Sequence, residues 1–186
     1  EVDSYSSKTV GAFLFPVIIL AMYLLFLFIP YLDPKKERYE QFRKVYHVFK
    51  NMMVIFMGFM YVLTSLNALG QNYPIDTYIP VMVGVLFVVM GNYLSKIKTN
   101  WFMGIRTPWS LSSEENWNKT HRVASKIFVL GGLLMMLMPL YPMAIKQYMF
   151  LFIILLLVFG SSGYSLYLYL KTGKNGDNNK QGKQED

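Results

Sequence analysis

Long apolar runs alternate with short, charge-dense segments along this chain. The runs occupy five windows, roughly Val10–Tyr31, Met52–Leu69, Tyr78–Leu94, Val123–Tyr141 and Tyr148–Leu170. A soluble core has no need of uncharged windows approaching 20 residues, whereas a bilayer crossing requires them. A spanning segment must also satisfy its own backbone, and a barrel strand would alternate polar and apolar positions, so each window predicts a helix. Pro80 falls near the start of the third window, Pro139 and Pro142 close the fourth, and Pro16 is expected to bend the first. The fold class expected is all-α, a polytopic membrane protein with five transmembrane helices.

Composition agrees with that pattern. Hydrophobic residues make up 54% of the chain and charged ones 16%, against about 25% charged in soluble domains. The basic residues set the orientation. Lys35, Lys36, Arg38, Arg43, Lys44 and Lys50 lie between the first two windows, and Lys96, Lys98, Arg106, Lys119, Arg122 and Lys126 lie in or beside the third connection. Lys171, Lys174, Lys180 and Lys183 are in the tail, while the opposite side has Lys8 and Lys146. The positive-inside rule makes both basic loops and the C-terminus cytoplasmic, in a multi-pass protein of the plasma membrane.

The chain thus divides into the end of an extracellular segment plus the first helix (1–31), a cytoplasmic amphipathic loop (32–51) and a four-helix membrane part (52–170). That part carries a polar loop at 95–122, and a polar tail at 171–186 is expected to be disordered. In the first loop Tyr39, Phe42, Tyr46 and Phe49 recur every three to four residues among basic ones, predicting an amphipathic helix that lies at the interface or extends the second span inward. The net charge of +7 is explained by topology and suits anionic membrane lipids, so direct nucleic-acid binding is not expected.

Candidate chemistry is sparse. With no cysteine there is neither thiolate catalysis nor a Cys-type zinc site, and His47 and His121 stand on separate loops without ligand spacing. No cofactor is expected. No nucleophile–base or paired-carboxylate arrangement suggests an enzyme, and the interiors of the apolar windows hold no ionisable side chain of the kind proton-coupled transporters use. Small residues such as Gly160-Ser161-Ser162-Gly163 predict close helix approach.

The loop 95–122 is different. It reads GIRTPWSLSSEENWNKTHR from Gly104 to Arg122, and all three tryptophans fall in or beside it. Ser112 and Glu115 fit a capping box, so a helix is expected to begin near Ser113 and run into the fourth span. Arg106 to Trp109 should be extended, because Pro108 disfavours helix at Thr107. Trp101 and Trp109 suit the headgroup layer, and Arg106 is expected to pair with Glu114, Glu115, lipid phosphate or an acidic partner.

Gly91-Asn92, Lys96, Lys98 and Asn100, then Gly104 to Leu111, then Glu115, Trp117, Thr120, His121 and Arg122 resemble the signature of the SdpI-type family of bacterial membrane proteins. The resemblance is tight over this loop and loose elsewhere. Of a removed signal peptide and a further helix ahead of residue 1, it implies the helix, for six spans in all, and it implies immunity to a secreted peptide toxin, a bacteriocin. It also implies signal transduction, with a cytoplasmic transcriptional repressor as partner. Arg106, Thr107, Pro108, Trp109, Trp117, His121 and Arg122 are the expected partner-binding residues. A transporter or efflux component is the alternative, and would need a polar cavity within the membrane.

Overall fold

The computed structural model describes residues 7–181, apart from the side chains of Lys8 and 173–181. It is helical, with no strand among the described residues. Helix α1 runs Lys8–Leu32, α2 Tyr39–Ala68, α3 Ile75–Leu94 and the short α4 Pro108–Leu111. After these come α5 Glu114–Met136, α6 Met143–Leu155 and α7 Ser161–Gln181, the last two joined by a π-helical turn at Leu156–Gly160. The protein is an all-α polytopic membrane protein. Among the described residues four stretches are each long and apolar enough to cross a bilayer: Thr9–Leu32, Lys36–Ala68, Ile75–Leu94 and Met143–Thr172.

The expected fourth span, Val123–Tyr141, falls on the second half of α5 and the 3₁₀ turn Met138–Leu140. The apolar helical part, Val123–Met136, covers roughly 20 Å, short of a hydrocarbon core of about 30 Å. α5 is the central helix, packed against α3, α6 and α7. At the other end, α7 continues as helical backbone to Gln181, through the first part of the segment whose composition suggests disorder. Helix already nucleated propagates at little cost per residue. Residues 1–6, most of the extracellular segment, and 182–186 of the tail lie outside the described residues.

The closest helix crossing is α3 on α5. A Cβ at Gly84 would stand 2.6 Å from the Gly132 carbonyl oxygen, and one at Gly91 would stand 2.8 Å from the Val129 amide nitrogen. Ser125 Oγ donates to the Gly91 carbonyl across the same seam. The cluster the sequence singles out is looser: a Cβ at Gly160 would come no nearer than 3.2 Å, to the side chain of Ile127, and one at Gly163 would face open space.

Helix α1 packs on α2 and contains Pro16 and Pro30. Each proline lacks the N–H that would bond the carbonyl four residues earlier, Ala12 and Phe26 respectively. Inside a bilayer no water can replace it. Tyr61 Oη donates to the Ala12 carbonyl at 3.0 Å, and Tyr46 Oη donates to the Phe26 carbonyl. Two hydroxyls from α2 thus occupy the two acceptors that α1 cannot satisfy. Tyr46→Phe is expected to lower stability by about 1–2 kcal/mol. In a Pro30→Ala background the cost should shrink, because residue 30 then supplies its own N–H. Thermal unfolding of the four chains in one double-mutant cycle measures this, and equal costs in both backgrounds would refute it.

Candidate functional site

The loop between α3 and α5 is organised by buried polar side chains. Asn100, fully buried, accepts through Oδ1 from the amides of Phe102 and Met103 at 2.8 and 2.6 Å. Its Nδ2 donates to the carbonyls of Lys98 and Met103 at 2.9 and 3.2 Å. The short amide side chain thereby replaces regular backbone pairing in a turn. Gly104 follows with φ +101, a left-handed conformation natural to glycine, and a Cβ there would run into His121 Nε2.

His121 is fully buried and uses both ring nitrogens. Nε2 accepts from the Ile105 amide at 3.0 Å, so it carries no proton, and Nδ1–H donates to the Trp117 carbonyl at 2.8 Å. Its ring stacks on Trp117, with centroids 4.0 Å apart, and Trp117 Nε1 donates to the Ile97 carbonyl at 2.8 Å. Burial pushes the imidazole pKa down to about 4, opposed by the bond to the Trp117 carbonyl. The unfolded value is near 6.5, so the unfolded chain takes up the proton first. Stability is therefore complete above about pH 6.5 and declines as pH falls toward 4. The folded state should be about 2 kcal/mol less stable at pH 5 than at pH 8. Unfolding curves at the two pH values measure this, and His121→Gln, which keeps an acceptor for Ile105, should flatten the difference. An equally steep dependence in the variant would count against it.

Thr107, in extended conformation as the following proline requires, opens α4 with a capping box. Its Oγ1 accepts from the Ser110 amide at 3.1 Å, and Ser110 Oγ accepts from the Thr107 amide at 3.0 Å. Pro108 occupies the first helical turn, where its missing N–H costs nothing. The extended stretch expected for Arg106 to Trp109 thus ends at Thr107, because a box of two hydroxyls nucleates a turn that the Pro108 rule does not forbid. The cap of α5 moves by one residue from the expectation: Ser113, not Ser112, accepts from the Asn116 amide at 3.1 Å. Ser112 instead closes α4.

A second buried cluster ties this loop to α7. Thr107 Oγ1 and Ser165 Oγ are 3.0 Å apart, Asn116 Nδ2 donates to the Ser165 carbonyl at 3.2 Å, and Thr120 Oγ1 donates to Asn116 Oδ1 at 2.9 Å. Asp33, 2% exposed, ties in the first basic loop. Its carboxylate accepts from the Lys35 amide at 2.7 Å, Tyr39 Oη at 3.0 Å and the Trp101 amide at 2.9 Å. Arg38 pairs with Glu114 at the start of α5.

The expected partner-binding residues therefore separate into two sets. Thr107, Trp117 and His121 face inward and build the frame, and Pro108 begins α4. Arg106 and Arg122 are exposed, and Trp109 is half-buried between them in sequence. Arg106 pairs with neither expected carboxylate, since Glu114 takes Arg38 and Glu115 takes Lys119 at 2.6 Å. Sequence reasoning passed over Asp33, Asn116 and Ser165. The one available signal was Asp33 itself, an acid separated by Pro34 from the Lys35-Lys36 pair.

Residues 96–165, which run from the loop through α5 and α6 to the first turn of α7, match the model of the SdpI/YfhL protein family. Over 152 residues the chain is 28% identical to the Immunity protein SdpI of Bacillus subtilis (strain 168), covering 82% of this chain and 70% of that protein. The resemblance to the SdpI-type family is thus found again by both comparisons. No solved structure matches the chain.

Proposed function

We propose that this chain, matched to the SdpI/YfhL family over its polar loop and last helices, is a multi-pass immunity protein of the bacterial cell membrane that protects the cell from a secreted peptide toxin. The similarity to a protein named for immunity supports the role. In this reading the two basic loops and the C-terminus are cytoplasmic, and the loop at 95–122 docks a cytoplasmic transcriptional repressor when toxin is present.

One observation carries the docking part. Arg106 is exposed and makes no hydrogen bond or ion pair among the described residues, while the backbone on either side of it is pinned by His121 and by the Thr107–Ser110 box. A guanidinium held on a rigid frame presents its planar fork of donors at little entropic cost, as bidentate recognition of a carboxylate requires. Trp109 adds an apolar surface beside it, of the kind that anchors interfaces.

The test is survival and reporter output in toxin-sensitive cells carrying the gene. The gene should raise survival. Arg106→Lys and Trp109→Ala should each reduce toxin-dependent repressor capture, and with it reporter output, at least roughly fivefold, a loss of about 1 kcal/mol in docking, with membrane protein levels unchanged. Normal output from both variants at normal levels would overturn the docking site. Unchanged survival with the gene present would overturn the immunity reading itself.

A further inference from the structure

We propose that the groove between α1 and the first half of α2 binds the phosphate head group of an anionic phospholipid from the leaflet on the basic side of the bundle. The groove encloses about 510 Å³, within the range of ordinary ligand sites.

Lys50 is the observation that points to a ligand. Tyr61 meets Ala12, Lys50 meets Tyr23 and Tyr46 meets Phe26, so α1 and α2 run antiparallel with Lys50 deep along α1. Tyr23 lies roughly 13 Å along the helix from its last residue, Leu32. Lys50 is 7% exposed and lines the groove, yet makes no hydrogen bond or ion pair among the described residues. Its ammonium is held 4.7 Å from the centroid of the Tyr23 ring. An ionised group at such depth is costly without an anion, and a lysine there extends toward the interface to find one.

Arg43, His47 and Lys50 are spaced i, i+4 and i+7, which places them on one face of α2, and all three line the groove. Facing them, Leu27 and Tyr31 of α1 form an apolar wall that is open to the bilayer, 40% and 80% exposed. A cationic stripe opposite an apolar, lipid-facing wall matches a molecule with a phosphate at one end and an acyl chain at the other. A free phosphate has no use for that wall. Glu37 and Glu40 also line the groove, next to the Lys35–Arg38 turn, and Glu40 holds Arg43 loosely at 3.7 Å. Against these two carboxylates stand Lys36, Arg43 and Lys50, so the groove keeps a net positive charge. A lipid with a net negative head group is preferred over a zwitterionic one, whose own cation would meet Lys50.

The experiment is native mass spectrometry of the full chain with phosphatidylglycerol, phosphatidylcholine or inorganic phosphate as the probe. Phosphatidylglycerol should be retained at least tenfold more than phosphatidylcholine, and millimolar phosphate should not displace it. Arg43→Gln, at an exposed position that leaves the core untouched, should weaken retention roughly fivefold, the worth of one cation near a membrane surface. Lys50→Gln should weaken it at least as much, while Lys44→Gln, which does not line this groove, should leave retention unchanged. Equal retention of the two lipids, displacement by phosphate, or an Arg43→Gln chain that binds like its parent would each overturn the proposal.

Discussion

Gly132→Ala is expected to destabilise the bundle by at least about 3 kcal/mol, although alanine is the better helix former. The added Cβ would lie 2.6 Å from the Gly84 carbonyl oxygen and 2.8 Å from the Val88 amide nitrogen. Both are backbone atoms of α3, which cannot turn aside as a side-chain tip can. The two helix axes must separate, and dispersion contacts along the seam are lost with them. Alanine's propensity advantage of about 1 kcal/mol over glycine works in the other direction and is the smaller term. Gly58→Ala is the control, because a Cβ there meets nothing within 4 Å, and it should be neutral or mildly stabilising. Thermal unfolding in one detergent should place Gly132→Ala roughly 6–12 °C below the parent. A Gly132→Ala chain as stable as Gly58→Ala would show that the seam is not close-packed.

Trp117→Ala should cost roughly 3–5 kcal/mol, the usual range for deleting a buried aromatic ring. The indole is fully buried, and its loss leaves a cavity under the loop. It also frees the Ile97 carbonyl from its 2.8 Å bond and removes the face on which His121 stacks. Trp117→Phe separates the contributions: a ring remains, the donor is gone, and the cost should fall to about 1–2 kcal/mol. The consequence should spread through His121 to the Ile105 amide, whose hydrogen exchange should accelerate in Trp117→Ala more than that of amides in α7. A cost under about 1 kcal/mol would place Trp117 among surface belt tryptophans, contrary to its burial.

Several features of the site were readable in the sequence. The Ser-Ser-Glu-Glu run signals a helix start, and the structure delivers one; but either serine can cap, and Ser112 is taken up closing α4, where its Oγ donates to the Trp109 carbonyl. Trp117 and His121 share a face at i, i+4 spacing, which is local. That this face is the buried one was not legible, because Trp117 finds its acceptor, Ile97, on the far side of the loop. Arg106 was expected to seek Glu114 or Glu115 close by in sequence, yet Arg38, remote in sequence but adjacent in space, takes Glu114.

By itself the sequence determined that this is a helical membrane protein, which apolar runs become its helices, and which loop carries its distinctive residues. These depend on each segment's own free energy in a bilayer, on backbone bonds closed within four residues, and on the local rule for proline. Only the tertiary structure decided that Gly84 and Gly132, not Gly160 and Gly163, form the closest crossing. It alone brought Tyr46 and Tyr61 to the carbonyls freed by Pro30 and Pro16, made His121 a neutral buried strut, and set Lys50 deep beside α1. Each of these follows from the register and rotation of one helix against another. A shift of one residue along α2 would turn Lys50 to a different face, so no property of an isolated segment could specify it.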